Sequence, residues 1–349
     1  MLNSQPPGFW SLLAQGEIAP VVVDQKPLIL LVSFLGVMVG LWLLGSLIKR
    51  RAAALIDPAI VRSFRRRISG NLTMCLVLAL ALLVDRVYTV VFFGLVSFWA
   101  LREFITMTPT RRADHRTLFA VLCVMTPLQY VLVGFNLYEL YTVVIPVYAS
   151  LFVAARVAFT DDPKRFLERI AKIQFGLFIC VYALSHAPAL LYLKLRRWDG
   201  TQNTYVPWDG SPAGLLIFLV VLVQLSDLLH FVWDRLVGKH VIAPHINATK
   251  TWEGLIGSAC CTAILAMFIH WLVPATPFTW MGAGVMGLIV SVMGASGSMT
   301  MSAIKRDRGV QDFGTLIQGH AGVLDRIDSF CFAVPIFFHV TRFFLIAPQ

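Results

Sequence analysis

The chain has 349 residues, 58% of them hydrophobic and only 14% charged, with a mean hydropathy of +0.75. Soluble domains average roughly half apolar and about a quarter charged, so a soluble globular protein is excluded and a polytopic membrane protein is expected. The net charge of +10 does not point to nucleic acid, because most of the 29 Lys and Arg sit in short segments flanking apolar runs, the pattern that sets membrane topology.

Residues 1–27 lack a basic start followed by an apolar core, so no cleavable signal peptide is expected. A spanning helix needs about 20 apolar residues. The candidates are Leu28–Leu47, Leu72–Val84, Val87–Leu101, Leu118–Phe135, Tyr138–Val157, Ile170–Leu193, Ala213–Trp233, Leu255–Val273, Trp280–Met301 and Phe330–Ile346. The fold class is therefore an all-α polytopic membrane protein with about ten transmembrane helices. The second and third runs are short and joined only by Asp85–Arg86. They form either a tight hairpin or one long tilted helix, Leu72–Leu101, which would leave nine spans.

With ten spans, the segments after helices one, three, five, seven and nine hold 7, 4, 5, 3 and 4 Lys/Arg, against six on the other side. Those segments are expected to face the cytoplasm, with both termini outside it. Lys194–Arg197 is a basic cluster on the opposing side. Lys49–Arg67 reads as a basic interfacial segment at the cytoplasmic face, where topology determination is favoured over a role in gathering an anionic lipid. Arg102–Glu103 ends the third span, and the two side chains are expected to neutralise each other. The stretch Arg197–Pro212, rich in turn formers and Trp, reads as an external loop with interfacial anchors. The six cysteines fit neither a zinc site nor a disulfide framework. An amino-terminal multi-span region, 1–205, is expected to precede a carboxy-terminal catalytic membrane region, 206–349.

Charge concentrates in two stretches expected on the cytoplasmic side, 226–257 and 302–328. The second holds four basic residues (Lys305, Arg306, Arg308, Arg326), four aspartates (Asp307, Asp312, Asp325, Asp328) and His320. Asp227 follows a long apolar run broken only near its end, by Gln224 and Ser226, and an ionised carboxylate there costs several kcal/mol unless it is paired or holds a metal. Asp325 and Asp328 are three apart, so a helix turns both the same way, and neighbouring carboxylates repel unless a cation lies between them. Oxygen-only donors favour Mg²⁺ over Zn²⁺. Lys250, Lys305, Arg306 and Arg326 are then available for phosphate oxygens. His320 suits a phosphate, a metal or a loop carbonyl, and on the residues alone the loop carbonyl is favoured. His186, His270 and His339, each alone in an apolar run, read as structural. No G-x-x-x-x-G-K-[ST] is present, so this is not a P-loop.

The motifs S-x-x-K-R, Q-D-F-G-T-L-I and H-A-G-V-L-D-R-I-D, in that order between Ser302 and Asp328, resemble the signature of the CDP-diacylglycerol synthases (phosphatidate cytidylyltransferases). L-V-Q-L-S-D (Leu222–Asp227) and K-T-W-E-G-L-I-G (Lys250–Gly257) resemble that family's second motif region, and A-L-R-E-F (Ala100–Phe104) is a weaker echo. The resemblance is strong over residues 215–345. The chain departs from the family pattern at Ser226, at Asn247–Thr249, at Gln311, where Lys is usual, at Ala321, where Gly is usual, and at Asp234, also usually Gly.

The resemblance implies transfer of a cytidylyl group from CTP to phosphatidate, giving CDP-diacylglycerol and pyrophosphate for phospholipid synthesis. It implies Mg²⁺ held by Asp227, Asp312, Asp325 and Asp328, and admits a second, monovalent cation such as K⁺. Lys250, Lys305, Arg306 and Arg326 would hold phosphates with help from His320, and Glu253 would orient a helix end or Lys250. The implied partners are phosphatidate, CTP and anionic membrane lipids, with a homodimer admitted. The implied location is a bacterial inner membrane with the site facing the cytoplasm. The rival readings are a CTP-dependent lipid kinase, a cytidylyltransferase for another lipid phosphate, and a degenerate member that binds or moves lipid without turnover.

Overall fold

The computed structural model describes residues 25–51, 58–108, 111–201, 203–310 and 322–345. In hydrocarbon no water can bond the backbone amides, so apolar runs of this length coil to satisfy them internally. The helices are α1 (Gln25–Arg51), α2 (Pro58–Val84), α3 (Arg86–Met107), α4 (Arg112–Gly134), α5 (Tyr138–Ala158), α6 (Phe166–Tyr192), α7 (Ala213–Leu236), α8 (Trp252–Leu272), α9 (Trp280–Asp307) and α10 (Leu324–Leu345). Among the described residues nine of them are long and apolar enough to cross a membrane, and α2 carries the shorter apolar stretch Ile68–Leu82. Two small antiparallel hairpins are added: β1 (Arg196–Asp199) with β2 (Thr204–Pro207), and β3 (Val241–Ala243) with β4 (Asn247–Thr251). The all-α polytopic expectation holds.

The alternative left open at Asp85–Arg86 is resolved as a hairpin. Asp85 has an extended backbone, φ −174° and ψ 168°, and its carboxylate accepts from the Arg86 amide as the cap of α3. Thr89 Oγ1 donates to the Ala81 carbonyl at 3.2 Å, whereas a continuous helix would hold residues eight apart at about 12 Å. The chain therefore doubles back. The stretch Arg197–Pro212, expected as a plain loop, contains most of the β1–β2 hairpin, with Trp198 edge-on to Tyr205 across the strands.

In the carboxy-terminal bundle α7 touches α1, α8, α9 and α10, and residues 213–224 of it are all buried. Helix association in lipid depends on close packing of small residues rather than on expulsion of water, and α9 follows that rule. A Cβ on Gly287 would stand 2.8 Å from Ala266 Cβ and 2.9 Å from the Thr262 carbonyl of α8, and one on Gly297 would stand 2.6 Å from the Asp328 carbonyl of α10. In the amino-terminal half α3 packs on α2, α4 and α6, and both α3 and α6 reach α10. Arg169 of α6 forms a buried forked pair with Asp114 of α4. His186 is buried among Tyr141, Tyr182 and Phe338, and its Nδ1 donates to the Tyr182 carbonyl at 2.8 Å.

Several helices extend further than their apolar runs indicate, two of them where the charged stretches meet. α9 continues past Met301 to Asp307, and α10 begins at Leu324 rather than Phe330. The added turns carry Lys305, Asp325 and Asp328, which face one another across the bundle instead of facing lipid. Hydropathy ends there, but the helices do not.

Candidate active site

The carboxyl half of α7, the end of α9 and the start of α10 meet at one end of the bundle. Ser329 Oγ lies 2.9 Å from Asp227 Oδ1 and 3.4 Å from Asp328 Oδ1, and the Ser329 amide donates to Asp328 Oδ1 at 2.7 Å. Two carboxylates from different helices thus converge on one hydroxyl. Beside them Lys305 Nζ donates to Asp325 Oδ1 at 2.8 Å, and the Gly322 amide lies 3.3 Å from Asp325 Oδ2. The structure therefore brings together four of the expected residues: Asp227, Asp325, Asp328 and Lys305. Gly297 carries no Cβ, and this lets α9 approach the Asp328 carbonyl. Ser226, one of the departures, bonds Ser291 Oγ of α9 at 2.7 Å, with both side chains buried.

Lys250 stands further along the same end. It is buried on β4, with its Nζ 3.9 Å from Asp234 Oδ2. Asp234 lies two turns beyond Asp227 on α7, about 10 Å along the helix. Its Oδ1 accepts from the Thr251 amide at 3.0 Å and the Thr251 hydroxyl at 2.8 Å. Thr251 Oγ1 in turn caps α8 by accepting from the Gly254 amide at 3.0 Å. The carboxylate in place of the family's usual Gly thus ties α7 to the start of α8. Arg306 Nε donates to the Ile246 carbonyl at 3.3 Å, so it leans on the β3–β4 turn. Glu253 does not orient Lys250. Its carboxylate accepts from the amides of Lys239 and His240 at 3.2 and 3.1 Å and pairs with His240 Nδ1, because the first turn of α8 points it back over that loop.

Glu103 was misread from the sequence. It does not neutralise Arg102, whose guanidinium lies over the Trp99 ring at 5.1 Å. Glu103 is buried at the end of α3, and its two oxygens accept from the amides of Val323 and Leu324 at 3.1 and 2.9 Å. It supplies the cap for α10 from more than two hundred residues away. The only sequence signal was a carboxylate inside an apolar run, within the Ala100–Phe104 echo. Ser329 was also missed, although it adjoins Asp328. Arg326 is turned away from Asp325 and Asp328, against Gly70 of α2. Gln311, Asp312, His320 and Ala321 lie outside the described residues.

Among the described residues no three His, Cys, Asp or Glu side chains are grouped at metal-binding separation. The donors nevertheless suit a hard dication. Asp227 and Asp328 offer oxygen alone and converge on a single hydroxyl, which has one proton to give. Two carboxylates brought together in a poorly solvated setting repel, and a cation between them would relieve that repulsion. Asp227 and Asp328 would hold the ion, and Asp325 is engaged by Lys305.

The sequence comparisons agree with this architecture. Residues 65–344 match the Cytidylyltransferase family. The Escherichia coli (strain K12) protein YnbB, described as uncharacterised, is 36% identical over 255 residues, which is 73% of this chain and 79% of that protein. A phosphatidate cytidylyltransferase of Staphylococcus aureus (strain COL) is 36% identical over 121 residues, 35% of this chain and 46% of that enzyme. One of Staphylococcus haemolyticus is 38% identical over 128 residues, 37% and 48% respectively. The chain thus aligns with slightly less than half the length of these two enzymes. The family match extends over both halves of the molecule and takes in α3 and α10 as well as the acidic centre. This integral membrane protein belongs to the cytidylyltransferase family.

Proposed function

We propose that the protein transfers a cytidylyl group from CTP to phosphatidate, releasing pyrophosphate and forming CDP-diacylglycerol. The observation that carries this reading is the convergence of Asp227 and Asp328 on Ser329, beside the Lys305–Asp325 pair, at one end of a membrane bundle. A lipid phosphate oxygen forms a bond to the α-phosphorus of CTP, and the bond from that phosphorus to the bridging oxygen breaks. The electron pair leaves with pyrophosphate. The nucleophile is already an anion near neutral pH, so no strong general base is required. The barrier lies in bringing anions together and in charge on the leaving group, which fixed positive groups lower.

Mg²⁺ held by Asp227 and Asp328 would supply charge neutralisation at the phosphates. Lys305 is placed by Asp325 to reach the same region, and Lys250 and Arg306 extend the positive lining toward β4. Asp312 and His320 belong to the segment between α9 and α10 and are assigned to metal and phosphate by family resemblance. CTP is cytosolic, so this end of the bundle faces the cytoplasm, in agreement with the Lys/Arg distribution, and the bacterial inner membrane is the expected setting.

The test is purified protein with phosphatidate, labelled CTP and Mg²⁺. Pyrophosphate and labelled CDP-diacylglycerol are expected. Release of CDP with a phosphorylated lipid would instead identify a kinase, and absence of any CTP-dependent product would identify a member without turnover.

A further inference from the structure

Arg326 has a setting that the acidic centre does not explain. At 3.6 residues per turn, Asp325, Asp328 and Ser329 fall within about 100° around α10; Ile327 and Phe330 lie across from them, and Arg326 flanks them, about 60° beyond Ser329 and turned toward α2. The Arg326 side chain is half-buried, and its guanidinium has no hydrogen bond or ion pair among the described residues. It is held against α2 where Gly70 leaves room, since a Cβ there would stand 1.7 Å from Nη1. Both residues lie at the edge of the apolar zone, Arg326 in the first turn of the α10 span and Gly70 at the start of the Ile68–Leu82 stretch. A partly desolvated arginine at that depth is unfavourable without an anion.

The same face of α10 borders a cavity of about 190 Å³ between α2, α3, α7 and α10. Val77, Phe93, Val96, Val220 and Phe330 line it, with Arg326 at its rim. From Val323 to Phe330 the slot follows α10 inward for about 10 Å. A planar fork of donors at headgroup depth, above an apolar slot that leads toward the bilayer centre, matches the layout of one lipid class. Guanidinium recognises phosphate through paired donors, and the slot accepts a length of acyl chain.

We propose that this face of α10 binds an anionic phospholipid, with its phosphate on Arg326 and part of one acyl chain in the slot. The site lies toward α2 and α3, whereas the carboxylate centre lies toward α7 and α9. It does not depend on which reaction the acidic centre performs. A lipid held there would pack α2 and α3 against the helix that carries Asp325 and Asp328.

The experiment is native mass spectrometry of detergent-purified full chain titrated with phosphatidylglycerol, phosphatidylcholine or diacylglycerol of the same acyl chains. Wild-type protein is expected to retain phosphatidylglycerol at least tenfold better than either other lipid. Arg326→Ala should abolish that preference, and Arg326→Lys should keep only part of it. Val77→Trp fills the slot while leaving the charge in place, and should weaken retention as much as Arg326→Ala. Asp328→Asn should retain phosphatidylglycerol as wild type does. Equal retention of the three lipids by wild type, or unchanged preference in both Arg326→Ala and Val77→Trp, would overturn the proposal. So would loss of retention in Asp328→Asn, because the lipid would then belong to the acidic centre. Pyrophosphate release is not part of this readout, so failure of the proposed reaction and failure of the lipid site are distinguishable.

Discussion

Replacing Glu103 by alanine removes the acceptor for the first amides of α10 without touching any group at the acidic centre. The wild-type carboxylate is 5% exposed and takes the Val323 and Leu324 amides at 3.1 and 2.9 Å. A hydrogen bond to a charged group contributes about 1.5–3 kcal/mol. Two such bonds, less partial replacement by water, leave a loss of about 3 kcal/mol. At about 1.4 kcal/mol per tenfold, the opened form of the first turn should rise on the order of a hundredfold. Hydrogen exchange followed by mass spectrometry reads this directly in peptides spanning 322–330, with a peptide from α7 as the internal control. Exchange should quicken at the start of α10 and stay unchanged in α7. CTP-dependent turnover should fall by about tenfold or more, because Asp325 and Asp328 are on the loosened turns. Glu103→Gln keeps one good acceptor and should fall between the two. Wild-type exchange at 322–330 in Glu103→Ala would refute the capping role, and uniform quickening across the protein would reduce it to general stability.

Asp328→Asn should eliminate CTP-dependent pyrophosphate release while the protein still inserts and purifies, and turnover at the wild-type rate would remove Asp328 from the metal-holding set. Gly297→Ala puts a methyl 2.6 Å from the Asp328 carbonyl and 2.9 Å from Phe332. Overpacking of that kind costs about 1–3 kcal/mol, so thermal unfolding in detergent should shift down and turnover should drop more than the loss of folded protein accounts for. Asp234→Gly, a change toward the family pattern, leaves the Thr251 amide and hydroxyl without their partner at 3.0 and 2.8 Å. It should cost about 1–3 kcal/mol, read as a lower unfolding midpoint, and an unchanged midpoint would show that water replaces the carboxylate.

Much of the fold was legible because a membrane span leaves a one-dimensional trace. Twenty apolar residues must be helical whatever they pack against, so α5 and α7 fall within a few residues of their apolar runs. The trace fails where a helix end turns inward. Met301 closes the apolar run of α9, but the helix continues through Lys305 because that side chain meets Asp325 rather than lipid. It also fails at Asp85, where two polar residues between apolar runs are compatible with a bend or with a straight helix, and only the return of Thr89 to Ala81 decides. The carboxylates of the candidate site were visible for the opposite reason. Charge within hydrocarbon is costly enough that Asp227 and Asp328 demanded an explanation from sequence alone. Glu103 carried the same signal, and it was lost because Arg102 offered a neighbouring partner. Adjacent residues on a helix diverge by about 100°, so that pairing was never well placed geometrically. Glu253 shows the complementary limit, since its partners at 239–240 are set by how β3 and β4 fold back.

The start of α10 explains why the first half of the chain matters to a site built from the second. Its carboxylates come from the segment after residue 206, but its first turn is held by Glu103 of α3, and its Arg326 is seated against Gly70 of α2. Lys305 of α9 and Asp227 of α7 complete the surroundings from the other side. The first amides of any helix have no partner within it, so an external acceptor helps define where α10 starts. A buried carboxylate on a different helix does this rigidly, and it couples the placement of Asp325 and Asp328 to the packing of α3. Substitutions in α2 and α3 that leave every charged residue of the acidic centre in place should therefore still change its geometry.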